Sequence, residues 1–293
     1  MIIVKIQAGL GNQMFQYAMG KSLALKKHTK LRLDNWNYRT RLDRNYELWR
    51  FNISVPVLGK LSRRIMGSRL IHSPRYAPLQ HLLRAIDSPL IAPSVYDAEQ
   101  GFDEGLSALA GSVYLNGCWQ SEHYFRDIRE LLLKEFTFKE APSEENAKCL
   151  STIASQNAVC VHVRRGDYVS TEIGVTRHGV CALDYYRAAA SYIDERVNNP
   201  WYFIFSDDPE WVSSHLSGFG PMTLVSHNVG KNDAEDLRLM MSCKHFIIAN
   251  STFSWWAAWL GQFPGKIVVA PKRWYLSPTQ SEKDLVPESW IRL

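Results

Sequence analysis

One run constrains the fold of this chain more than any other: Ala158, Val159, Val161 and Val163 form an apolar stretch free of Gly and Pro that stops abruptly at Arg164, Arg165, Gly166 and Asp167. The stretch reads as a buried strand. In open α/β sheets ligands bind outside the carboxyl ends of strands, so charges placed there are where a phosphate would meet them. The period of two puts His162 and Arg164 on one face and Arg165 on the other. The structural alternative is an Arg165–Asp167 or Arg164–Asp167 ion pair bracing a turn.

The same handover from strand to polar loop to helix recurs. Ile2, Ile3, Val4 and Ile6 form a first strand that runs into Gly9, Leu10, Gly11 and Asn12. Phe15, Ala18, Met19 and Ser22 follow at helical spacing, and Leu31–Asp34 is the next strand, completing a βαβ unit. The glycines allow close backbone approach and the helix start favours an anion. As a dinucleotide fingerprint the loop fails, because Met14 occupies the third glycine position. Further on, Val113–Leu115 restarts a strand, with Gln120, Ser121 and Glu122 after it and Ser121 expected to cap the helix over 128–136.

In the second half, Trp201–Phe205 ends in Ser206, Asp207 and Asp208. Pro209 suits the first helical position, which makes Asp208 the N-cap and leaves Asp207 without a structural task. A carboxylate there can accept both guanine N–H groups; the alternative is a turn carboxylate. His245–Ala249 ends in Asn250, Ser251, Thr252, Phe253 and Ser254, where hydroxyls and backbone N–H groups at a helix start form a phosphate cradle. Trp255, Trp256 and Trp259 are read as packing. Asn250–Thr252 fits a glycosylation acceptor pattern only by accident, since it follows a buried strand.

At 293 residues and 46% hydrophobic, two domains are expected. The polar, Pro-bearing stretch around Pro142 divides 1–150 from 151–293. A net charge of +5 suits an enzyme handling anionic substrates and argues against a nucleic-acid binder. Lys60, Arg63, Arg64, Arg69, Arg75 and Arg84 make the Pro-interrupted segment 51–105 basic; a solvated face is the favoured reading, with contact to an anionic membrane surface or lipid diphosphate the other. The five cysteines have no CxxC spacing and are expected to be reduced and mostly buried. The N-terminal residues carry no signal-peptide pattern, so the expected location is cytoplasmic.

Arginines, a phosphate cradle and a guanine-reading carboxylate at strand ends of one half fit a nucleoside diphosphate. No Asp-x-Asp motif occurs, so arginine in place of a divalent metal is expected to neutralise the leaving group, as transfer from a nucleotide sugar requires.

With these motifs the chain resembles the bacterial α-1,2-fucosyltransferases of glycosyltransferase family 11. The resemblance rests on Gly9–Ala18, Gln120–Glu122, the HxRRxD element His162–Asp167 with Tyr168, Phe205–Asp208 and Ile248–Trp256. It implies a GT-B architecture of two facing Rossmann-like lobes with a central cleft, the first binding the acceptor and the second GDP-fucose. It implies metal-independent, inverting transfer of L-fucose from GDP-β-L-fucose to the 2-hydroxyl of a terminal β-galactose, with no cofactor. The acceptor glycan could be lipid-linked, in a bacterial surface-polysaccharide (O-antigen) role with peripheral contact at the inner membrane. Arg164 would bind the departing phosphate, supported by Arg165 and Asp167. His162 with Asp207 or Asp208 would contact guanosine. Asn250, Ser251, Thr252, Phe253 and Ser254 would meet the diphosphate, and Gly11 and Asn12 would close on the donor. Asp34, Gln120 and Glu122 are the acceptor-side residues. Glu172, seven residues after Arg165, is the general-base candidate, with Asp34 and Glu122 as alternatives. Transfer with another linkage, such as α-1,6, and a non-catalytic nucleotide or glycan binder are the competing readings.

Overall fold

The computed structural model describes residues 1–39, 44–59, 94–97, 101–217, 219–232, 234–277 and 282–293. The basic residues between Lys60 and Arg84 lie outside them. The chain forms two compact units, Met1–Thr137 and Phe138–Leu293. The division precedes the polar stretch around Pro142 because that stretch is strapped to the second unit: Arg238 donates to Glu140 O at 2.8 Å and stacks over Phe138 at 4.2 Å. The helix Glu144–Ser155, which a boundary at 150 would cut, is therefore wholly in the second unit.

In the first unit, β1 (Ile2–Lys5), β2 (Leu31–Asp34), β3 (Ser94–Asp97) and β4 (Val113–Asn116) form a parallel sheet in the order β2-β1-β4-β3. Strand order reverses between β1 and β4. The helix Leu10–Lys26 crosses from β1 to β2, burying Phe15, Ala18, Met19 and Ser22 at the expected spacing. Met14 is fully buried too, and close helix–strand contact is made instead two turns on, at Gly20. Ser121 caps the short 3-10 turn Glu122–Tyr124 by accepting from His123 N. It does not cap the following helix, which begins only at Arg129, because two 3-10 turns intervene.

The second unit adds β5 (Asn157–Val163), β6 (Pro200–Ser206), β7 (Met222–Val225), β8 (His245–Ile247), β9 (Val268–Ala270) and β10 (Ile291–Arg292), all parallel, in the order β10-β9-β8-β5-β6-β7. This is the doubly wound order, with the switch between β5 and β8. Residues 158–163 of β5 are all buried, as an apolar run covered by helices on both faces should be. Trp255, Trp256 and Trp259 are core, as read from their spacing. Of the cysteines only Cys160 and Cys243 are buried; Cys149 and Cys181 are half-buried and Cys118 is exposed, so the expectation that most are buried fails. Among the described residues no helix is long and apolar enough to cross a membrane.

A Cβ on Gly20 would sit 2.3 Å from Val4 Cγ2, and Val4 is fully buried with a stiff branched side chain. Gly20→Ala is expected to destabilise by about 1–3 kcal/mol through overpacking, outweighing the gain of about 1 kcal/mol in helix propensity. Urea denaturation measures it; a more stable variant would show that the contact is loose.

Candidate functional site

The switch point of the second sheet gathers most of the predicted residues. β5 and β6 are in register from Asn157↔Pro200 to Val163↔Ser206, so both strands stop at one level. Arg164 leaves β5 and Asp207 leaves β6, and their side chains meet: Arg164 Nη1 lies 2.8 Å from Asp207 Oδ2, and Nη2 lies 2.5 Å from Asp167 Oδ1. The guanidinium is also 5.4 Å above the Tyr168 ring. Burial opposes its charge, but Asp207 and Asp167 outweigh burial and raise its pKa. Arg164 is thus a permanent cation held in a fixed direction at the strand end.

Arg165 is engaged differently. Its Nε is 3.0 Å from Asp208 Oδ2 and its guanidinium stacks 4.0 Å above Trp211. Asp208 caps the helix Pro209–His215, accepting from Trp211 N at 3.1 Å, as Pro209 implied. Asp207, in contrast, does have a structural task that capping logic missed: it accepts from Arg165 N at 2.8 Å. A Cβ on Gly166 would lie 2.4 Å from its Oδ2, so glycine is needed there for the carboxylate to sit so close. Each carboxylate oxygen keeps a further lone pair for a ligand.

The end of β8 supplies the second edge. Ser251 caps the helix Thr252–Leu260, accepting from Phe253 N at 3.4 Å. Ser254 is fully buried and donates to backbone carbonyls of Ala249 and Ser251, so its hydroxyl serves the helix start. Asn250 is a knot: its Nδ2 donates to His178 O, Gly179 O and Trp274 O at 3.0–3.2 Å. Tyr168 joins the two strand ends, donating from its hydroxyl to Asn250 O at 3.1 Å while its ring stacks on His178 at 4.7 Å. Thr252 and Phe253 are half-buried, and the Phe253 ring lies 6.0 Å from His162.

His162 Nδ1 is buried and has no hydrogen-bond partner among the described residues. Burial first, then the Arg164 charge, lowers its pKa to about 3. Glu172 is exposed, in the helical stretch beyond the Arg164 loop.

The remaining predicted residues are in the first unit. Asn12 Oδ1 accepts from Gln120 Nε2 at 2.6 Å, joining the first turn of the helix Leu10–Lys26 to the loop after β4; Gly11 is buried beside Asn12 and Glu122 is half-buried. Asp34 is buried, with Oδ1 accepting from Trp36 N at 3.1 Å and Oδ2 from the Tyr114 hydroxyl at 2.8 Å. Two residues that sequence reasoning passed over matter here. Gln13 and Gln16, fully buried, tie loops to the helix: Gln16 accepts from Gln7 N and donates to Gly117 O. Their signal was present, as two amides about one turn apart among the apolar residues Met14, Phe15, Tyr17 and Ala18.

The sequence profile of glycosyltransferase family 11 matches residues 94–293. The chain belongs to glycosyltransferase family 11. It is 34% identical to the α-1,2-colitosyltransferase of Escherichia coli over 298 residues, covering 100% of this chain and 98% of that protein. It is 33% identical to the Escherichia coli O-antigen biosynthesis glycosyltransferase WbnK over 305 residues, covering 98% and 99%. Its fold is similar to that of the NodZ α-1,6-fucosyltransferase soaked with GDP-fucose, at TM-score 0.51 and 16% identity over 92% of this chain and 94% of that one. The fold is therefore GT-B-like, α/β with two parallel sheets, and the enzyme is a glycosyltransferase of the α-1,2-fucosyltransferase class.

Because the folded pKa of His162 lies below its unfolded value near 6.5, the unfolded chain binds the extra proton between those values, so stability falls as pH drops below about 6.5. This group alone contributes up to about 1.4 kcal/mol lost per pH unit. His162→Gln is expected to flatten the acid limb of the melting temperature between pH 7 and 4.5; an unchanged slope would mean that His162 is protonated in the folded protein.

Proposed function

We infer that this enzyme transfers L-fucose from GDP-β-L-fucose to the 2-hydroxyl of a terminal β-galactose with inversion and without a divalent metal. The observation that carries the reading is Arg164, a half-buried cation braced by Asp167 and Asp207 at the switch point of a doubly wound sheet. Transfer from a sugar diphosphate puts negative charge on the departing phosphate, and a pre-oriented guanidinium stabilises that charge where it develops. The Ser251-capped helix start is the matching anion edge. Asp207 retains acceptor capacity for guanine N–H groups, and the unpartnered His162 Nδ1 is a polar atom that a nucleoside could satisfy.

Arg165 and Asp208 serve this site as its scaffold, and Asn250 as the knot behind it. For the acceptor proton, exposed Glu172 is the candidate; Asp34 is the weaker one, since both of its oxygens already accept hydrogen bonds in the sheet edge. The acceptor is read as a glycan under construction for the bacterial surface, on the cytoplasmic side of the membrane. A second reading, colitosyl transfer, is favoured by the 34% identity to the α-1,2-colitosyltransferase.

Arg164→Ala is expected to lower kcat by about 10²-fold or more, on the scale of removing one leaving-group stabiliser, and to lower the melting temperature as well, because Asp167 and Asp207 lose the cation they share. A kcat near wild type in the folded variant would remove Arg164 from the chemistry. An acceptor panel of β-galactosides offered with GDP-fucose or GDP-colitose, each with and without EDTA, tests the rest. Fucosylation at the galactose 2-position that survives EDTA is expected; a preference for GDP-colitose selects the second reading, and loss with EDTA overturns the metal-free mechanism.

A further inference from the structure

The carboxyl edge of the first sheet carries a surface whose construction the reading above leaves without a role. Among the described residues, two non-glycine residues adopt left-handed backbone at the ends of the strands that flank its switch point: Ala8 after β1, with φ 65°, and Trp119 after β4, with φ 58°. Such conformations persist where the surroundings over-determine them, and they concentrate at ligand sites. Here the surroundings are explicit. Buried Gln16 grips both loops, accepting from Gln7 N at 2.9 Å and donating to Gly117 O at 3.2 Å.

A second buried amide builds the rim. Gln13 Nε2 donates to Ala8 O at 3.1 Å and to Asn45 O at 2.8 Å, while its Oε1 accepts from Glu47 N at 2.9 Å. Gln13 therefore clamps Tyr46 from both flanking residues. Tyr38 donates its hydroxyl to the same Ala8 carbonyl at 2.6 Å, which sets its ring 6.2 Å from that of Tyr46 at an angle of 51°. Between them and β1, Asn37 Nδ2 donates to Gln7 Oε1 at 3.4 Å. Asp34, by accepting from Trp36 N, holds the start of the 3-10 turn Trp36–Arg39 that bears Asn37 and Tyr38.

We propose that Gln7, Asn37, Tyr38 and Tyr46 form the subsite for a neutral pyranoside, the acceptor sugar of this transferase. The proposal rests on the functional reading above. A sugar ring offers hydroxyls that both donate and accept, which side-chain amides match, and an apolar C–H face, which aromatic rings cover. Among the described residues, two carboxylates beside the rim are committed elsewhere: Asp34 is buried, accepting from Trp36 N and the Tyr114 hydroxyl, and Glu47 pairs with Arg50. The amides and rings of the rim carry no charge themselves, which suits a neutral ligand. Under this assignment Asp34 is a positioning residue for the acceptor side.

Steady-state kinetics of Asn37→Ala and Tyr46→Leu, varying β-galactoside and GDP-sugar separately, test the site. The acceptor KM is expected to rise about tenfold or more, the scale of one lost hydrogen bond or ring contact, with the donor KM unchanged. An unchanged acceptor KM, or both KM values rising together, overturns the proposal. If Tyr46→Leu does not fold, Tyr38→Phe serves in its place, since it keeps the ring and removes the hydroxyl that bonds Ala8 O; the same rise confined to the acceptor is expected and its absence is equally decisive. Saturation-transfer NMR with methyl β-galactopyranoside separates this proposal from the functional reading. Binding by the wild type that Asn37→Ala weakens supports the subsite even where no fucosyl transfer is detected, and binding that the substitution leaves intact, or none at all, overturns it.

Discussion

The carboxylate of Asp207 is the contact on which the second unit's site depends. It comes from the end of β6, yet it sets three consecutive residues after β5: it pairs with the Arg164 guanidinium, accepts from Arg165 N, and occupies the space that a side chain on residue 166 would need. A pair of exposed charges would contribute little. Here the guanidinium is largely buried between Asp207 and Asp167, so removing the arginine would leave two carboxylates without their shared cation, and the geometry is correspondingly stiff. With Asp207 fixed, Arg164 faces the switch point, and Arg165 turns away to Asp208 and Trp211.

Elsewhere the loops that end strands are held by amides. Asn250 serves three carbonyls behind the Ser251 helix start, and Gln13 and Gln16 bind the loops of the first unit. An amide offers donors and an acceptor without a charge, so it can satisfy buried backbone groups of a loop without the desolvation cost of an ion. This is why polar residues predicted for ligand contact turn out to be partly or wholly engaged with backbone. Ser254 and Asn250 shape the cradle from behind, and Asp34 holds the turn after β2.

Much was readable where the cause is local. The buried β5 strand, the helix register of Phe15, Ala18 and Met19, and the Asp208 cap before Pro209 follow from periodicity and from the stereochemistry of a helix start. Ser121 shows the limit of that logic: it is a cap, as its residue type implies, but of a single 3-10 turn, because capping preference carries no information about how long the helix runs on. The cysteines show another, since absence of metal or disulfide spacing says nothing about exposure, and only two are buried.

By itself the sequence determined the βα alternation, the parallel sheets that it demands, and the cluster of arginines, carboxylates and hydroxyls at strand ends, because each depends on neighbours within one turn or one strand. Only the tertiary structure decided which carboxylate each arginine takes, that Asp207 braces the loop after β5, and that Gln13 presents Tyr46 beside Tyr38. Gln13 and Asn45, Arg165 and Asp207, and Arg165 and Asp208 lie between 32 and 43 residues apart in sequence. Their meeting is set by strand register and by the depth at which a helix seats on its sheet, and neither is written in the spacing of residues along the chain.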